Sequence, residues 1–318
     1  MELVIDEHKS CNLLKLIGNT PMINIFEREF PACDIRIKLE SYNPGGSIKD
    51  RVACEIINEA ERQHKISPGM ELVEATSGNT GIGIAWIGRL KGYKVTIVTH
   101  DRVSSEKLGL LKFYGANVII MASDEPYGSK DHYINVAREY AKADGRYYCD
   151  QFNNCSNVDA HYKTTGPEIW LQGGKDIDAI VCGIGSGGTL MGIKKYFNAQ
   201  GSQPKFIIAD PVGSIYKSYF SGGEFEQASW RIEGIGSNFI PGILEQDAVS
   251  EIYSISDDIA FSTCDLLREK EGIDIGLSSG AIVATAMQLA LKKGLRKIIC
   301  ISPDSGERYL SKLQLKGI

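Results

Sequence analysis

The feature of this sequence that most constrains its fold is a regular alternation of short apolar runs, rich in β-branched residues, with longer amphipathic stretches. The short runs predict buried parallel strands, and the longer stretches predict helices. We expect strands at 35–39, 71–74, 94–99, 117–121, 178–183, 205–209, 251–255 and 297–301. We expect helices at 49–63, 80–90, 104–114, 130–143, 188–198, 257–270 and 279–292. This order predicts an α/β fold with mostly parallel sheets flanked by helices.

Length and charge narrow the class of protein. A chain of 318 residues is long enough for about two domains. Its formal net charge of −5 lacks the basic excess typical of nucleic-acid binding. No apolar run approaches the ~20 residues of a membrane span, and residues 1–9 contain no signal-peptide core. We therefore expect a cytoplasmic protein with small-molecule substrates and with neither a nucleic-acid nor a membrane partner.

The eight cysteines and five histidines form no metal-binding pattern. The cysteines are scattered without a CxxC pair, and the histidines form no HExxH motif. We therefore expect no metal site, and free thiols that are kept reduced.

The segment NPGGSIKDR at 43–51 places Lys49 in the first turn of a predicted helix, after a Pro-Gly-Gly turn. There the amine faces unpaired backbone N–H groups and the positive end of the helix dipole, which disfavours the ammonium form. Such a lysine can act as a reactive amine. Taken alone, a solvated lysine is the more common outcome at a helix start.

Two further segments join predicted strands to predicted helices. The segment EATSGNTG at 74–81 puts hydroxyls, an amide and glycines at a helix N-terminus, where they suit a carboxylate or a phosphate. One capping residue would be enough for the helix, so the excess of polar groups favours binding. The segment GIGSGGT at 183–189 can cradle a phosphate with its backbone N–H groups.

The second of these segments also leaves a different class of enzyme open. It matches the pattern G-x-G-x-x-G, and Asp210 follows the next strand near the spacing of a ribose-binding acid. An NAD-dependent dehydrogenase is therefore an alternative on this motif alone. It would leave the other two segments unexplained.

Together the segments resemble the cysteine synthase and cystathionine β-synthase family, which uses pyridoxal 5'-phosphate (PLP) in the fold-type II arrangement. The resemblance begins at LIGNTP (16–21), includes GLSSG (276–280) and ends at PDSGERYL (303–310). It implies two domains, each with a mostly parallel twisted sheet flanked by helices. The smaller domain would be 38–156, with Lys49 and the Thr76–Gly81 loop, and the larger would be 12–37 plus 157–312, with the phosphate loop.

The resemblance also implies roles for particular residues. Lys49 would bind PLP covalently and later move the α-proton of the substrate. Asn79 would hydrogen-bond the ring hydroxyl of PLP, and Ser278 would face the pyridine nitrogen, although Ser278 alone could equally be a helix cap. The phosphate would be held by Gly185, Ser186, Gly187, Gly188 and Thr189. The substrate would be bound by Thr76, Ser77, Thr80 and Gln151, with Gly234 at the mouth of the site.

The activity that the resemblance implies is PLP-dependent β-replacement on L-serine or an O-activated L-serine with a thiol or sulfide acceptor. The cysteine synthase reaction, from O-acetylserine and sulfide, is the first expectation, and a homodimer is implied. A cystathionine β-synthase-like or cysteine/serine β-lyase activity is the alternative. A non-catalytic relative that binds a metabolite is a third possibility, against which the intact Lys49, Asn79 and Ser278 argue.

Two departures bear on the substrate. The segment VTHDR at 98–102 stands where relatives often have a Met-Pro pair. Glu233, before Gly234, stands where enzymes that use O-acetylserine often have Gln, whereas cystathionine β-synthases resemble this chain there. A carboxylate at this position could guide a proton to a poor leaving group or accept one from a nucleophile. The alternative is a surface glutamate on a turn.

Overall fold

The computed structural model describes residues 12–225, 228–292 and 294–312, and within them the chain forms two sheets. The six-stranded sheet has the order β1-β2-β10-β7-β8-β9. Its strands are β1 (Met22–Ile25), β2 (Asp34–Leu39), β7 (Ala179–Gly183), β8 (Lys205–Pro211), β9 (Glu251–Ile255) and β10 (Lys297–Ser302). The four-stranded sheet has the order β5-β4-β3-β6. Its strands are β3 (Glu71–Ala75), β4 (Lys94–His100), β5 (Asn117–Met121) and β6 (Arg146–Tyr148).

All neighbouring strands are parallel except β1, which pairs antiparallel with β2 at the edge of the larger sheet. The helices are α1 (Lys49–Arg62), α2 (Asn79–Leu90), α3 (Ser105–Phe113), α4 (Tyr133–Tyr140), α5 (Cys155–Ala160), α6 (Gly166–Gly173), α7 (Gly188–Ala199), α8 (Tyr216–Ser221), α9 (Asp257–Glu271) and α10 (Leu277–Ala290). A π-helical turn, His161–Thr165, joins α5 to α6, and 3₁₀ turns lie at Asn12–Leu16, Glu40–Tyr42, Gln246–Ala248 and Gly306–Lys312.

The larger sheet is buried on both faces, and strand β7 shows why its sequence is continuously apolar. Ala179 and Val181 pack into one apolar cluster with side chains of α9 and α10. Ile180 and Cys182 point the other way, into a cluster that contains residues of α6 and α7. Because side chains alternate across a strand, a strand between two helical layers must be apolar at every position. Each fully buried aliphatic side chain contributes about 1.5–3 kcal/mol.

The predicted α/β class with mostly parallel sheets is confirmed. Every predicted strand and helix is present, with ends within three residues of the expected ones. The prediction missed β1, β6, α5, α6 and α8. Strand β1 has exposed side chains at an edge, and β6 has three half-buried residues, so neither shows the apolar run of a buried strand.

Helix α5 was missed for a different reason. It begins inside the polar segment 151–157, because the Asn154 side chain accepts a hydrogen bond from the Ser156 backbone N–H at 3.0 Å and so caps the helix. The domain division stays a prediction. The four-stranded sheet lies within 38–156, whereas β2 extends across the proposed boundary at 37/38. Within the described ranges, no helix has the length and apolar character needed to cross a bilayer.

Candidate active site

Most of the predicted site residues meet at one cavity of about 1320 Å³. The segments that follow β3, β7 and β10 all reach it. These are the carboxyl ends of parallel strands, where open α/β sheets bind ligands. The volume exceeds the roughly 300–1,000 Å³ of an ordinary small-molecule pocket, so the cavity can hold a cofactor and a substrate together.

Lys49 is the first residue of α1, and its side chain is half-buried in the cavity wall. Its Nζ atom lies 3.5 Å from Ser186 Oγ, across the cavity on the Gly-rich loop. Burial lowers the pKa of the Lys49 amine to about 8, and the nearby Glu74 acts in the opposite sense. The largest cause is therefore desolvation rather than the helix start alone. A substantial fraction of the amine is neutral near pH 8 and can act as a nucleophile or a base.

The Gly-rich loop between β7 and α7 is shaped by close contacts. Gly187 has a φ of +90°, which favours glycine. A side chain at Gly188 would overlap the Asn157 amide, and a Cβ at Gly185 would lie 2.6 Å from the Gly234 carbonyl oxygen. The first N–H groups of α7 have no intrahelical acceptor, as at any helix start. The loop is therefore held against its neighbours and presents donors at one end.

The hydroxyl groups of this loop are also oriented. Ser186 Oγ accepts hydrogen bonds from Asn157 Nδ2 at 2.9 Å and from Lys49 Nζ, which leaves its own hydrogen available for donation. Thr189 Oγ1 lies 3.2 Å from His161 Nε2. Burial lowers the pKa of His161 well below its usual value, so the imidazole is neutral. Asn157 and His161 thus fix the two hydroxyls of the loop.

The loop between β3 and α2 forms another part of the cavity wall. Thr80 donates to Gln151 Oε1 at 2.6 Å, and Gln151 Nε2 donates to the Ala75 carbonyl oxygen at 3.0 Å. Thr76 Oγ1 accepts from the Gly78 N–H at 3.0 Å, so its hydrogen is free to donate. Beneath the loop, burial raises the pKa of Glu74 well above its usual range. The arrangement presents donors to an anion at the start of α2.

Ser278 lies in the first turn of α10 and is not a helix cap. The N-cap residue is Gly276, without a side-chain cap bond. Ser278 is 2% exposed and contributes to the cavity wall. Among the described residues its hydroxyl has no hydrogen-bond partner, which leaves it available to a ligand in the cavity.

Glu233 is not a surface residue, so that alternative is wrong. It is 9% exposed and lies in the cavity wall. Its Oε2 atom accepts a hydrogen bond from Lys107 Nζ at 2.8 Å, and its Oε1 atom pairs with Lys312. Lys107 is itself buried and donates to the Tyr309 hydroxyl at 3.0 Å. Two cations therefore hold this carboxylate beside Gly234.

Most of the predicted site residues share this wall, namely Lys49, Thr76, Ser77, Asn79, Thr80, Gln151, Gly185, Ser186, Glu233, Gly234 and Ser278. Gly187, Gly188 and Thr189 are not in the wall and continue the loop into α7. Sequence reasoning missed the residues that orient these groups: Lys107, Asn157, His161, Asp304 and Arg308. Asp304 and Arg308 lie in the PDSGERYL segment at 303–310, which carries part of the family resemblance, so that segment was the available signal.

The residues present fit PLP. The Lys49 amine, whose pKa is lowered by burial, lies 3.5 Å from the Ser186 hydroxyl. Ser186 belongs to the loop that leads into the N-terminus of α7. Such a loop suits a phosphate, and the amine suits an aldehyde. The Ser278 hydroxyl and the Asn79 amide line the same cavity and supply polar groups for the cofactor ring.

Comparison with known proteins gives the same assignment. A family model described as "Pyridoxal-phosphate dependent enzyme" matches residues 13–304. A cysteine synthase of Staphylococcus aureus is 38% identical over 305 residues, which cover 94% of this chain and 95% of that protein. The cystathionine beta-synthase of Rattus norvegicus is 36% identical over 95% of this chain and 54% of its own length.

A solved structure agrees. The O-acetylserine dependent cystathionine beta-synthase from Helicobacter pylori superposes with a TM-score of 0.88, at 34% identity, over 96% of this chain and 98% of that one. The dehydrogenase alternative is therefore wrong. Asp210 is 1% exposed and accepts a hydrogen bond from the Lys217 backbone N–H. The chain belongs to the pyridoxal-phosphate dependent enzyme family, as a fold-type II member similar to cysteine synthases and cystathionine β-synthases.

Proposed function

We propose that this PLP-dependent β-replacing enzyme uses O-acetyl-L-serine as its donor and sulfide as its acceptor, and so makes cysteine. The observation that carries the proposal is the convergence of Lys49, Ser186, Asn79 and Ser278 on one cavity in a chain that matches the PLP family over 13–304. The similarity to cysteine synthases over nearly the full length of both chains supports the choice of substrates.

Lys49 is the residue that we expect to hold the cofactor and then to move the α-proton. When bound, PLP withdraws electrons from the substrate Cα and makes its proton acidic. A base that works near neutral pH needs a pKa close to that pH, and burial brings the pKa of Lys49 to about 8. Ser186, Thr189 and the N–H groups of 185–189 would hold the phosphate.

The substrate carboxylate has a natural place at the start of α2. The free hydrogen of Thr76 and the N–H groups of that helix turn could donate to an anion bound there. The Thr80 hydroxyl is held by its hydrogen bond to the Gln151 side chain, and Ser77 lies in the same turn. Lys49 and Gly234 line the same cavity as this turn.

A cystathionine β-synthase-like activity is the second candidate, and the Glu233 cluster favours it. A carboxylate held by Lys107 and Lys312 in the cavity wall can help a proton reach a poor leaving group such as hydroxide. A cavity of about 1320 Å³ also has room for an acceptor larger than sulfide.

The test is a matrix of donors and acceptors. The purified holoenzyme is incubated with O-acetylserine, L-serine, O-phosphoserine or cysteine, each with sulfide or homocysteine, and the products are identified by mass spectrometry. Cysteine from O-acetylserine and sulfide supports the first proposal. Cystathionine as the dominant product, from L-serine or O-acetylserine, supports the second. No replacement product from any pair would contradict both.

We also propose a cytoplasmic homodimer with the division into domains at 38–156 and 12–37 plus 157–312. The support is the family resemblance and the free thiols of the described cysteines, most of them buried. Light scattering of the purified protein measures the oligomeric state, and the mass of a single chain, 34.9 kDa, would contradict the homodimer.

A further inference from the structure

The PDSGERYL segment at 303–310 joins separate parts of the site. The Ile48 backbone N–H donates to the Pro303 carbonyl oxygen at 2.9 Å, one residue before Lys49. The Gly276 backbone N–H donates to the Asp304 carbonyl oxygen at 3.0 Å, two residues before Ser278. Residues 303–304 therefore tie together the backbone segments that carry Lys49 and Ser278.

Two side chains of this segment hydrogen-bond both ends of the Asn79 amide. Asn79 Nδ2 donates to Asp304 Oδ2 at 2.6 Å, and Arg308 Nη1 donates to Asn79 Oδ1 at 2.9 Å. Asp304 is 1% exposed and Arg308 is 4% exposed, so the two charged partners of the half-buried Asn79 are themselves buried. The Tyr309 hydroxyl also donates to Asp304 Oδ2 and holds the carboxylate in place.

These contacts leave the amide of Asn79 only one orientation. A flip by 180° would set its NH₂ group against the Arg308 guanidinium and its carbonyl oxygen against the Asp304 carboxylate. Both pairings are repulsive, whereas the observed bonds are charge-assisted and therefore strong. One N–H of Nδ2 is used by Asp304, so the other is free, and Asn79 lies in the cavity wall.

Arg308 has a second connection, toward the cofactor lysine. Its Nη2 atom donates to the Gly45 carbonyl oxygen, in the turn that precedes Lys49. Gly46 in that turn has a φ of +78°, and a side chain there would overlap the guanidinium. One arginine thus spans the Lys49 turn and the Asn79 amide.

We propose that Asp304 and Arg308 are positioning residues for PLP, which hold the Asn79 amide so that its free N–H faces the ring oxygen of the cofactor. The inference rests on the proposed function and on the contact with the ring hydroxyl that the family resemblance implies for Asn79. Its consequence is that the Asp304 carboxylate acts on the cofactor through Asn79, and that Arg308 does so in addition to its bond to the Gly45 carbonyl oxygen. The effect of removing Asp304 should therefore require Asn79, and the effect of removing Arg308 should be smaller without Asn79.

A double-mutant cycle tests this dependence. Five variants are prepared as apoenzymes, titrated with PLP and followed by visible absorbance. They are the single variants Asp304→Asn, Arg308→Met and Asn79→Ala, and the two double variants that combine Asn79→Ala with Asp304→Asn or with Arg308→Met. We expect each single variant to bind PLP about tenfold more weakly and to shift the visible band. In the Asn79→Ala background Asp304→Asn should add less than about twofold. Arg308→Met should lose clearly less affinity there than in the wild-type background, with only the part that comes from its bond to the Gly45 carbonyl oxygen remaining. Glu307→Gln, on the exposed side of the same turn, is the matched control and should leave affinity and band unchanged.

Several outcomes would overturn the inference. If the fold-losses of the single variants multiply in the double variants, Asp304 and Arg308 act independently of Asn79. Unchanged affinity and band in both folded single variants would also overturn it.

Arg308→Lys keeps the cation and should recover most of the affinity lost in Arg308→Met, which a merely space-filling role would not predict. Circular dichroism confirms folding, and if Asp304→Asn fails to fold, the Arg308 arm decides the matter. A wild-type protein that binds no PLP would contradict the proposed function itself.

Discussion

The pH dependence of covalent PLP capture follows directly from the burial of Lys49. Burial disfavours the ammonium form and lowers the pKa of this amine to about 8. About one tenth of the amines are then neutral at pH 7, about half at pH 8 and about nine tenths at pH 9. The capture rate should therefore rise roughly tenfold between pH 7 and pH 9 and then level off. For a lysine of ordinary pKa, near 10.4, the same interval would give a rise of about 100-fold without levelling.

The assay mixes apoenzyme with PLP in a stopped-flow instrument and follows visible absorbance from pH 7 to 10. Dividing each rate by that for the neutral form of a free alkylamine removes the pH dependence of PLP itself. Lys49→Ala is the control and should lack the covalent phase. A normalised rate that continues to climb past pH 9 would show that Lys49 has an ordinary pKa, and the burial argument would be wrong.

Three further predictions concern the loop, the fold and the cavity wall. Gly187→Asp should weaken PLP binding at least tenfold, measured by titration of the apoenzyme. The change adds a negative charge to the phosphate loop, φ is +90° there, and a Cβ would press on Leu244 at 3.2 Å, so the loop or the Leu244 side chain would have to shift. Normal affinity would contradict the phosphate site. Arg51→Met should destabilise the fold by about 3–5 kcal/mol because it leaves the fully buried Glu40 carboxylate unpaired. In thermal denaturation this corresponds to a drop in Tm of roughly 5–8 °C. The control is Arg62→Met, at an exposed ion pair of the same helix, which should change Tm little. Equal drops in Tm for the two variants would refute the argument. Glu233→Gln should slow turnover of L-serine more than that of O-acetylserine, since acetate leaves without a proton; equal losses in steady-state rates would leave Glu233 a structural residue.

The parts of the site that sequence predicts are those that are contiguous in the chain. Ser186 and Thr189 lie within one strand-to-helix loop, and local patterning places such a loop at the carboxyl edge of a sheet. Lys49 follows a turn that is recognisable from its glycines. Each of these needs only local chemistry, so the structure places them where the sequence predicts.

The residues that orient the site depend on contacts far apart in sequence. Arg308 meets Asn79 across 229 positions, and Lys107 meets Glu233 across 126. No local period reveals such pairs, because a buried charge looks in sequence like any surface charge. Glu233 was open to a surface interpretation for this reason. The exposed strand β1 escaped prediction because its burial pattern is that of an edge strand rather than of the core.

The central claim is that Lys49 carries the cofactor, and reductive trapping tests it most directly. The holoenzyme is reduced with borohydride, digested and mapped by mass spectrometry. The account predicts a pyridoxyl group on the peptide that contains Lys49, and a Lys49→Ala protein without any covalently trapped cofactor. A pyridoxyl group on a different lysine of the wild-type protein would contradict the assignment and the mechanism built on it.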